Sequence, residues 1–144
     1  MPNREEAAAT AQRLRIVFGR LRRRLQDASA VSGLSAPQAS ALARLALNEP
    51  ASASQLAGAE RVRPQSMAKT IAALHDLGLI RREADPDDGR QKWIYLTDEG
   101  RAAAQGARSH REEWLTDAIA QRFTDDERHL IDQALTLLER VVDQ

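Results

Sequence analysis

The chain has 144 residues, enough for one domain with a buried core, and its 21 basic and 21 acidic side chains give a formal net charge of zero. It has no cysteine, which excludes a disulfide framework, a thiolate metal site and a thiol-based redox switch. No apolar run approaches the length of a membrane span, and the stretch holding Arg4, Glu5 and Glu6 lacks a signal-peptide core, so a cytoplasmic protein with no membrane partner is expected.

From about Glu5 to Ala30, Leu14, Val17, Phe18, Leu21 and Leu25 recur as one stripe of a predicted helix. Arg23 lies opposite, and Arg22 and Arg24 lie at the sides, where their stems can run along apolar surface. Ser35-Ala36-Pro37-Gln38 and Ser52-Ala53-Ser54-Gln55 are capping boxes, in which the first side chain and the fourth satisfy each other's backbone N–H groups. They predict helix starts at residues 36 and 53, and Asn48-Glu49-Pro50 ends the first of these helices.

A short helix over Ala53–Ala59, a turn over Glu60–Arg63 and a helix from Pro64 make a helix-turn-helix. Pro64 suits a first helical position because its φ is preset and its missing N–H has no intrahelical partner there. Met67, Ile71 and Leu74 share the face to be buried, while Gln65, Lys69 and Asp76 lie opposite with Ser66 and Ala73 on one flank. Gly78 is expected as a left-handed cap, with Leu79 folding back onto the last turn. By itself this is any amphipathic surface helix. Its exposed side chains are also those that read base edges: glutamine can bond adenine twice, and lysine and serine serve guanine or phosphate.

The residues after Leu79 favour the second meaning. Ile80–Ala84 and Gln91–Leu96 have strand length and composition, with Ile94 and Leu96 on a core face. Between them, Asp85-Pro86-Asp87-Asp88-Gly89-Arg90 is rich in turn residues, with Gly89 expected at positive φ. A hairpin tip with Arg90 and Lys92 can reach a minor groove or flanking phosphates. Asp88 is expected to hold the Arg90 side chain by a charge-assisted bond.

Thr97 caps a long helix with Asp98 and Glu99 in its first turn, where acidic groups favour the helix dipole. Thr124-Asp125-Asp126-Glu127 is a third capping box. The helix it opens carries Leu130, Ala134, Leu137 and Val141 in register, beside a second stripe of Ile131, Leu135, Leu138 and Val142. So wide an apolar arc is buried on more than one side. With the N-terminal stripe it predicts a homodimer, against the plainer alternative of a single-chain bundle. Charge is uneven: residues 1–30 hold seven basic and three acidic groups, 61–92 seven and five, and 97–144 six and eleven. A mildly positive reading unit and a negative C-terminal part would orient a dimer on a polyanion.

The stretch from Arg61 to Gly100 resembles the MarR family of bacterial winged-helix transcription regulators. The matching residues are Pro64-Gln65-Ser66-Met67, Leu74 with Gly78, Gly78-Leu79-Ile80 followed by Arg82, Asp88-Gly89-Arg90, and Ile94-Tyr95-Leu96-Thr97 with Gly100. The Asp-x-Arg turn followed by apolar-x-Leu-Thr-x-x-Gly is the most specific part. The resemblance implies a mainly α (α+β) fold, a winged helix-turn-helix with a two-stranded β wing, flanked by N- and C-terminal dimerisation helices. The expected division is 1–32 dimerisation helix, 33–97 winged helix-turn-helix and 98–144 dimerisation helices.

The expected function is transcription regulation, by repression, as a homodimer on a pseudo-palindromic double-stranded DNA operator. Candidate DNA contacts are Arg63, Gln65, Ser66, Lys69, Thr70, Arg90 and Lys92, with Asp88 stabilising the wing. The resemblance further implies release by a small aromatic or lipophilic effector in the crevice between dimer helices and winged domain. Phe18, Arg22, His110 and Trp114 are the candidates there, although a core-packing Trp114 and a surface His110 explain the same residues.

An enzyme is not expected. His75, His110 and His129 are scattered over three helices, and there is no nucleophile elbow and no glycine-rich phosphate loop. Glu112-Glu113 and Asp125-Asp126 are adjacent on helices and do not face one another. His110 and Glu113 have helical metal spacing but stand alone, so neither a metal nor a cofactor is expected. The competing reading is a winged-helix protein-interaction module without DNA binding.

Overall fold

Five of the six helices described open on a side-chain oxygen that accepts a hydrogen bond from the first turn. The computed structural model describes residues 3–29 and 33–143. Asn3 caps α1 (Arg4–Ala28), Ser35 caps α2 (Ala36–Leu47) and Ser52 caps α3 (Ala53–Glu60). The exception is α4 (Pro64–Asp76), which starts on Pro64 with no side-chain cap. An antiparallel hairpin of β1 (Ile80–Ala84) and β2 (Lys92–Leu96) comes next, then α5 (Asp98–Arg122) capped by Thr97 and α6 (Asp125–Val142) capped by Thr124. The capping boxes at Ser35, Ser52 and Thr124 are all formed in both directions. This is the mainly α, winged helix-turn-helix architecture expected, with one two-stranded sheet.

The boundaries differ in detail. The first helix ends at Ala28; the expected end at Ala30 and the 32/33 division fall at residues outside the described ones or at their edge. The third helix includes Glu60, and β2 begins at Lys92 rather than Gln91. Gly78 takes φ +73, and the two bonds of a Schellman turn close behind it: Gly78 N–H donates to the His75 carbonyl (2.9 Å) and Leu79 N–H to Leu74 (3.0 Å).

One core holds the winged unit together. Leu42 and Leu45 of α2, Leu56 of α3, Met67, Ile71 and Leu74 of α4, Ile80 of β1, and Ile94 and Leu96 of β2 are all buried in it. Ala51, between α2 and α3, adds a bridge to the hairpin: its N–H donates to the Ile94 carbonyl (3.2 Å) and Ile94 N–H returns to Ala51 (2.9 Å). The terminal helices contrast sharply. Neither α1 nor α6 buries a single residue. α1 packs on α5, while α6, among the described residues, has no broad partner in its own chain. No helix among these residues is long and apolar enough to cross a membrane.

α5 is pinned at its start. Thr97 Oγ1 donates to the Gly78 carbonyl (2.6 Å) and accepts from Gly100 N–H (3.0 Å). Glu49 accepts from Leu96 N–H (2.8 Å) and pairs with Arg101, tying the end of α2 to both β2 and α5. Gly100 sits so close to the hairpin base that a Cβ there would overlap the Leu79 carbonyl. Gly100→Ala is therefore expected to destabilise the fold by about 1–3 kcal/mol through overpacking. Urea unfolding checks this, and a wild-type midpoint would mean that α5 is not held against Leu79.

Candidate nucleic-acid interface

The turn before α4 is built by contacts reaching back to α2. Glu60 accepts from Arg44 Nε and Ser40 Oγ, both at 2.8 Å, so the end of α3 is anchored. Arg61 then takes a left-handed φ of +54, and Val62 N–H returns to the Ala57 carbonyl (3.0 Å). This reversal leaves Arg61, Arg63, Gln65, Ser66 and Lys69 exposed around the start of α4, while Met67, Ile71 and Leu74 hold it to the core. Thr70 is half-buried, and its hydroxyl donates to the Ser66 carbonyl (3.1 Å), so its proton is already engaged within the helix.

The hairpin register sorts the wing into two faces. Ile80 lies opposite Leu96, Arg82 opposite Ile94 and Ala84 opposite Lys92 on the side toward α4. Arg81 opposite Tyr95 and Glu83 opposite Trp93 form the outer side, where the Arg81 guanidinium sits 4.4 Å from the Tyr95 ring centroid. A groove of about 720 Å³ thus runs between α4 and the wing, with Ala68 and Ala72 on one wall, Arg82, Arg90 and Lys92 on the other, and Ser54 and Gln55 of α3 at its end. Arg82 is not among the contacts expected from the sequence, where it counts only toward the family resemblance. The period of two from buried Ile80 puts it on the groove side, and that is the signal the sequence offers.

Two aspartates shape the wing tip, not a left-handed glycine. Asp85 accepts from Asp87 N–H (2.8 Å) and Asp88 from Arg90 N–H (3.1 Å), the self-capping turn of this residue type. With the reversal made by side chains, Gly89 has no need of positive φ and does not adopt it. Asp88 therefore holds the Arg90 backbone, contrary to the expected bond to its guanidinium. The backbone N–H and the Asp88 carboxylate are two residues apart, the closed-ring distance of an Asx turn, and that local bond takes the acceptor. The Asp87 N–H and then the Trp93 indole hold the Asp85 carboxyl below the usual carboxylate range.

The cations of this face stand outside the ion pairs. The ion pairs among the described residues join Arg44 to Glu60, Arg81 to Glu83, Arg101 to Glu49, Arg108 to Glu112 and Arg128 to Asp125. None of them takes Arg61, Arg63, Lys69, Arg82, Arg90 or Lys92. A zero net charge thus coexists with a locally positive face.

Of the four effector candidates, Arg22 is the one that lines two grooves. Arg22 lines a groove of about 540 Å³ with Pro37, Val62, Ser66, Lys69 and Thr70, and a second of about 410 Å³ with Leu25, Leu34 and Arg111. Neither takes Phe18, His110 or Trp114. Phe18 is 63% exposed on the apolar stripe of α1, His110 is exposed on α5, and Trp114 is half-buried one turn beyond it.

Comparison with known proteins agrees with this geometry. The sequence model of one family, described as the MarR family, matches residues 34–92. An HTH-type transcriptional regulator of Mycobacterium leprae is 35% identical over 137 residues, covering 95% of each chain. A solved structure from Pseudomonas aeruginosa, of a protein assigned as a transcriptional regulator, is 31% identical and superimposes with a TM-score of 0.84 over 99% of each chain. A mutant of MepR from S. aureus, solved bound to an oligodeoxyribonucleotide, shares the fold at a TM-score of 0.68 and 18% identity, over 92% of this chain and 97% of that one.

Proposed function

The chain belongs to the MarR family of helix-turn-helix transcriptional regulators, and on that premise we propose that it is a homodimeric DNA-binding repressor released by a small-molecule effector. The observation that carries this reading is the face on which α4 and the wing together present cations outside the ion pairs, beside polar readers. In this arrangement α4 enters the major groove, where Gln65, Ser66 and Lys69 meet base edges or phosphates. Arg63 and Thr70 flank them, and Arg90 and Lys92 reach the adjacent backbone or minor groove. Asp88 serves the wing by fixing the Arg90 backbone.

Residues 1–32 and 98–144 form the dimerisation part and 33–97 the reading part. The exposed apolar residues of α1 and α6 support that division. Two copies then set their α4 helices on half-sites about 10 base pairs apart, one helical turn. Repression follows because a dimer covering a promoter blocks polymerase. An aromatic or lipophilic effector entering beside α1 near Arg22 would act on the spacing of the reading helices, and the grooves lined by Arg22 support such entry.

A mobility shift with the promoter of the chain's own operon tests the reading. A retarded, competitor-resistant complex is expected, and its absence would favour the protein-contact alternative. The roles within the face separate by substitution. Gln65→Ala is expected to cost about 1–3 kcal/mol and to relax specificity at one base pair. Arg90→Ala is expected to weaken binding to many sequences alike, with any preference confined to the A·T content of the flanks. Unchanged affinity of Arg90→Ala at low salt would remove the wing from the interface.

A further inference from the structure

We propose that Trp93 is a positioning residue for DNA binding: by donating its indole N–H to Asp85, it locks the wing tip in the conformation that presents Arg90. The inference rests on the reading of the wing as a DNA contact.

Asp85 stands where β1 gives way to the tip, and its carboxylate is used at both oxygens. Oδ1 accepts from Asp87 N–H at 2.8 Å and Oδ2 from the Trp93 indole at 3.0 Å. Its own N–H donates to the Gln91 carbonyl (2.9 Å), and Gln91 N–H donates to the Asp88 carbonyl (3.0 Å). The Asp88 side chain in turn receives Arg90 N–H. A continuous set of hydrogen bonds therefore runs from the indole on β2 to the backbone of Arg90.

This bond is placed to order the tip and not to hold the fold. The register puts Trp93 opposite Glu83 on the outer side of the hairpin, away from buried Ile94 and Leu96. Residues 86–90 are all exposed, so no packed side chain restrains the tip. A solvated loop of this kind samples several turns, and ordering it on binding costs affinity. An indole is a rigid anchor with few torsions to lose, and its partner is a carboxylate, which strengthens the bond.

The test uses Trp93→Phe, which keeps an aromatic ring and removes the donor, with Arg90→Ala and the double substitution. Trp93→Phe is expected to lower the thermal midpoint by no more than about 5 °C and to weaken binding to a selected operator by about threefold to tenfold, the size of one hydrogen bond's net effect. Its salt slope should fall by up to about 0.9 per phosphate that the wing no longer reaches. In the Arg90→Ala background Trp93→Phe should cost nothing further, because both act through one contact. Asp85→Ser is the second variant, since a hydroxyl can still cap Asp87 N–H but leaves the indole unpartnered. It should reproduce the DNA defect and shift the Trp93 indole N–H resonance toward that of a solvated tryptophan. Wild-type affinity and slope, losses that add to Arg90→Ala, or a midpoint lowered by more than about 10 °C would each overturn the assignment. Failure of the unsubstituted protein to bind any duplex would instead remove the DNA reading on which it rests.

Discussion

Leu137→Asp combined with Leu138→Asp is expected to turn the chain into a monomer whose operator binding is weaker by about 10²–10⁴, the gain that linking two half-site contacts supplies. Leu137 is 55% exposed in the single chain, Leu130 64% and Val142 80%, and α6 buries none of its residues. Phe18, Val17 and Ile16 stand similarly bare on α1. Exposed apolar residues in such number on one helix mark an interface. A permanent dimer covers on the order of 2,000 Å² or more of it. Placing a carboxylate in such an interface leaves it desolvated without a partner, which two substitutions per protomer make fourfold in the dimer. Because α2, α3, α4 and the wing share their own core, the monomeric variant should keep a folded winged unit. Sedimentation and mobility shift are read together. A wild-type protein that is monomeric at micromolar concentration, or a monomeric variant that still binds tightly, would count against the arrangement.

The second large effect is expected from salt. A dimer neutralising roughly 6–10 phosphates should lose about 10³–10⁵ in affinity between 50 and 200 mM salt, through counterion release. A protein of zero net charge makes this a demanding test, because any such slope must come from local charge. Arg61, Arg63, Lys69, Arg90 and Lys92 supply candidates in each protomer, and the hairpin register adds Arg82. None is engaged in an ion pair among the described residues, so each has its charge available. Removing one true phosphate contact should lower the slope by about 0.9. Substituting Arg108 of α5 or Arg128 of α6, both already in ion pairs, should leave it unchanged. A flat profile would mean that the positive face is only solvated, and the protein-contact reading would take its place.

Whatever depends on near neighbours along the chain is legible from the residues themselves. The capping boxes at Ser35, Ser52 and Thr124 are each closed within four consecutive residues, and all three form. The Gly78 turn, the buried face of α4 and the alternation of β2 are equally local, and they make the order of elements and the exposed polar face of α4 plain. The wide apolar arc of α6 is visible as a surplus, since its residues find no core in their own chain.

Features that need distant segments to meet emerge only with the folded chain. Nothing near Ala51 announces its bridge to Ile94, and nothing near Glu49 announces that its carboxylate will cap Leu96 N–H and hold Arg101. The side of the wing on which Arg82 lies requires the strand register. At the tip, composition suggests a glycine-made turn, but two aspartates take the turn's N–H groups, so Gly89 stays out of the left-handed region and Asp88 holds backbone instead of guanidinium. The effector candidates meet the same limit: one-turn spacing can place His110 beside Trp114, but it carries no information about whether Phe18 or Arg22, on another helix, lies within reach of either. Backbone hydrogen bonds and helical periodicity act over a few residues, whereas a groove is made by side chains from segments tens of residues apart.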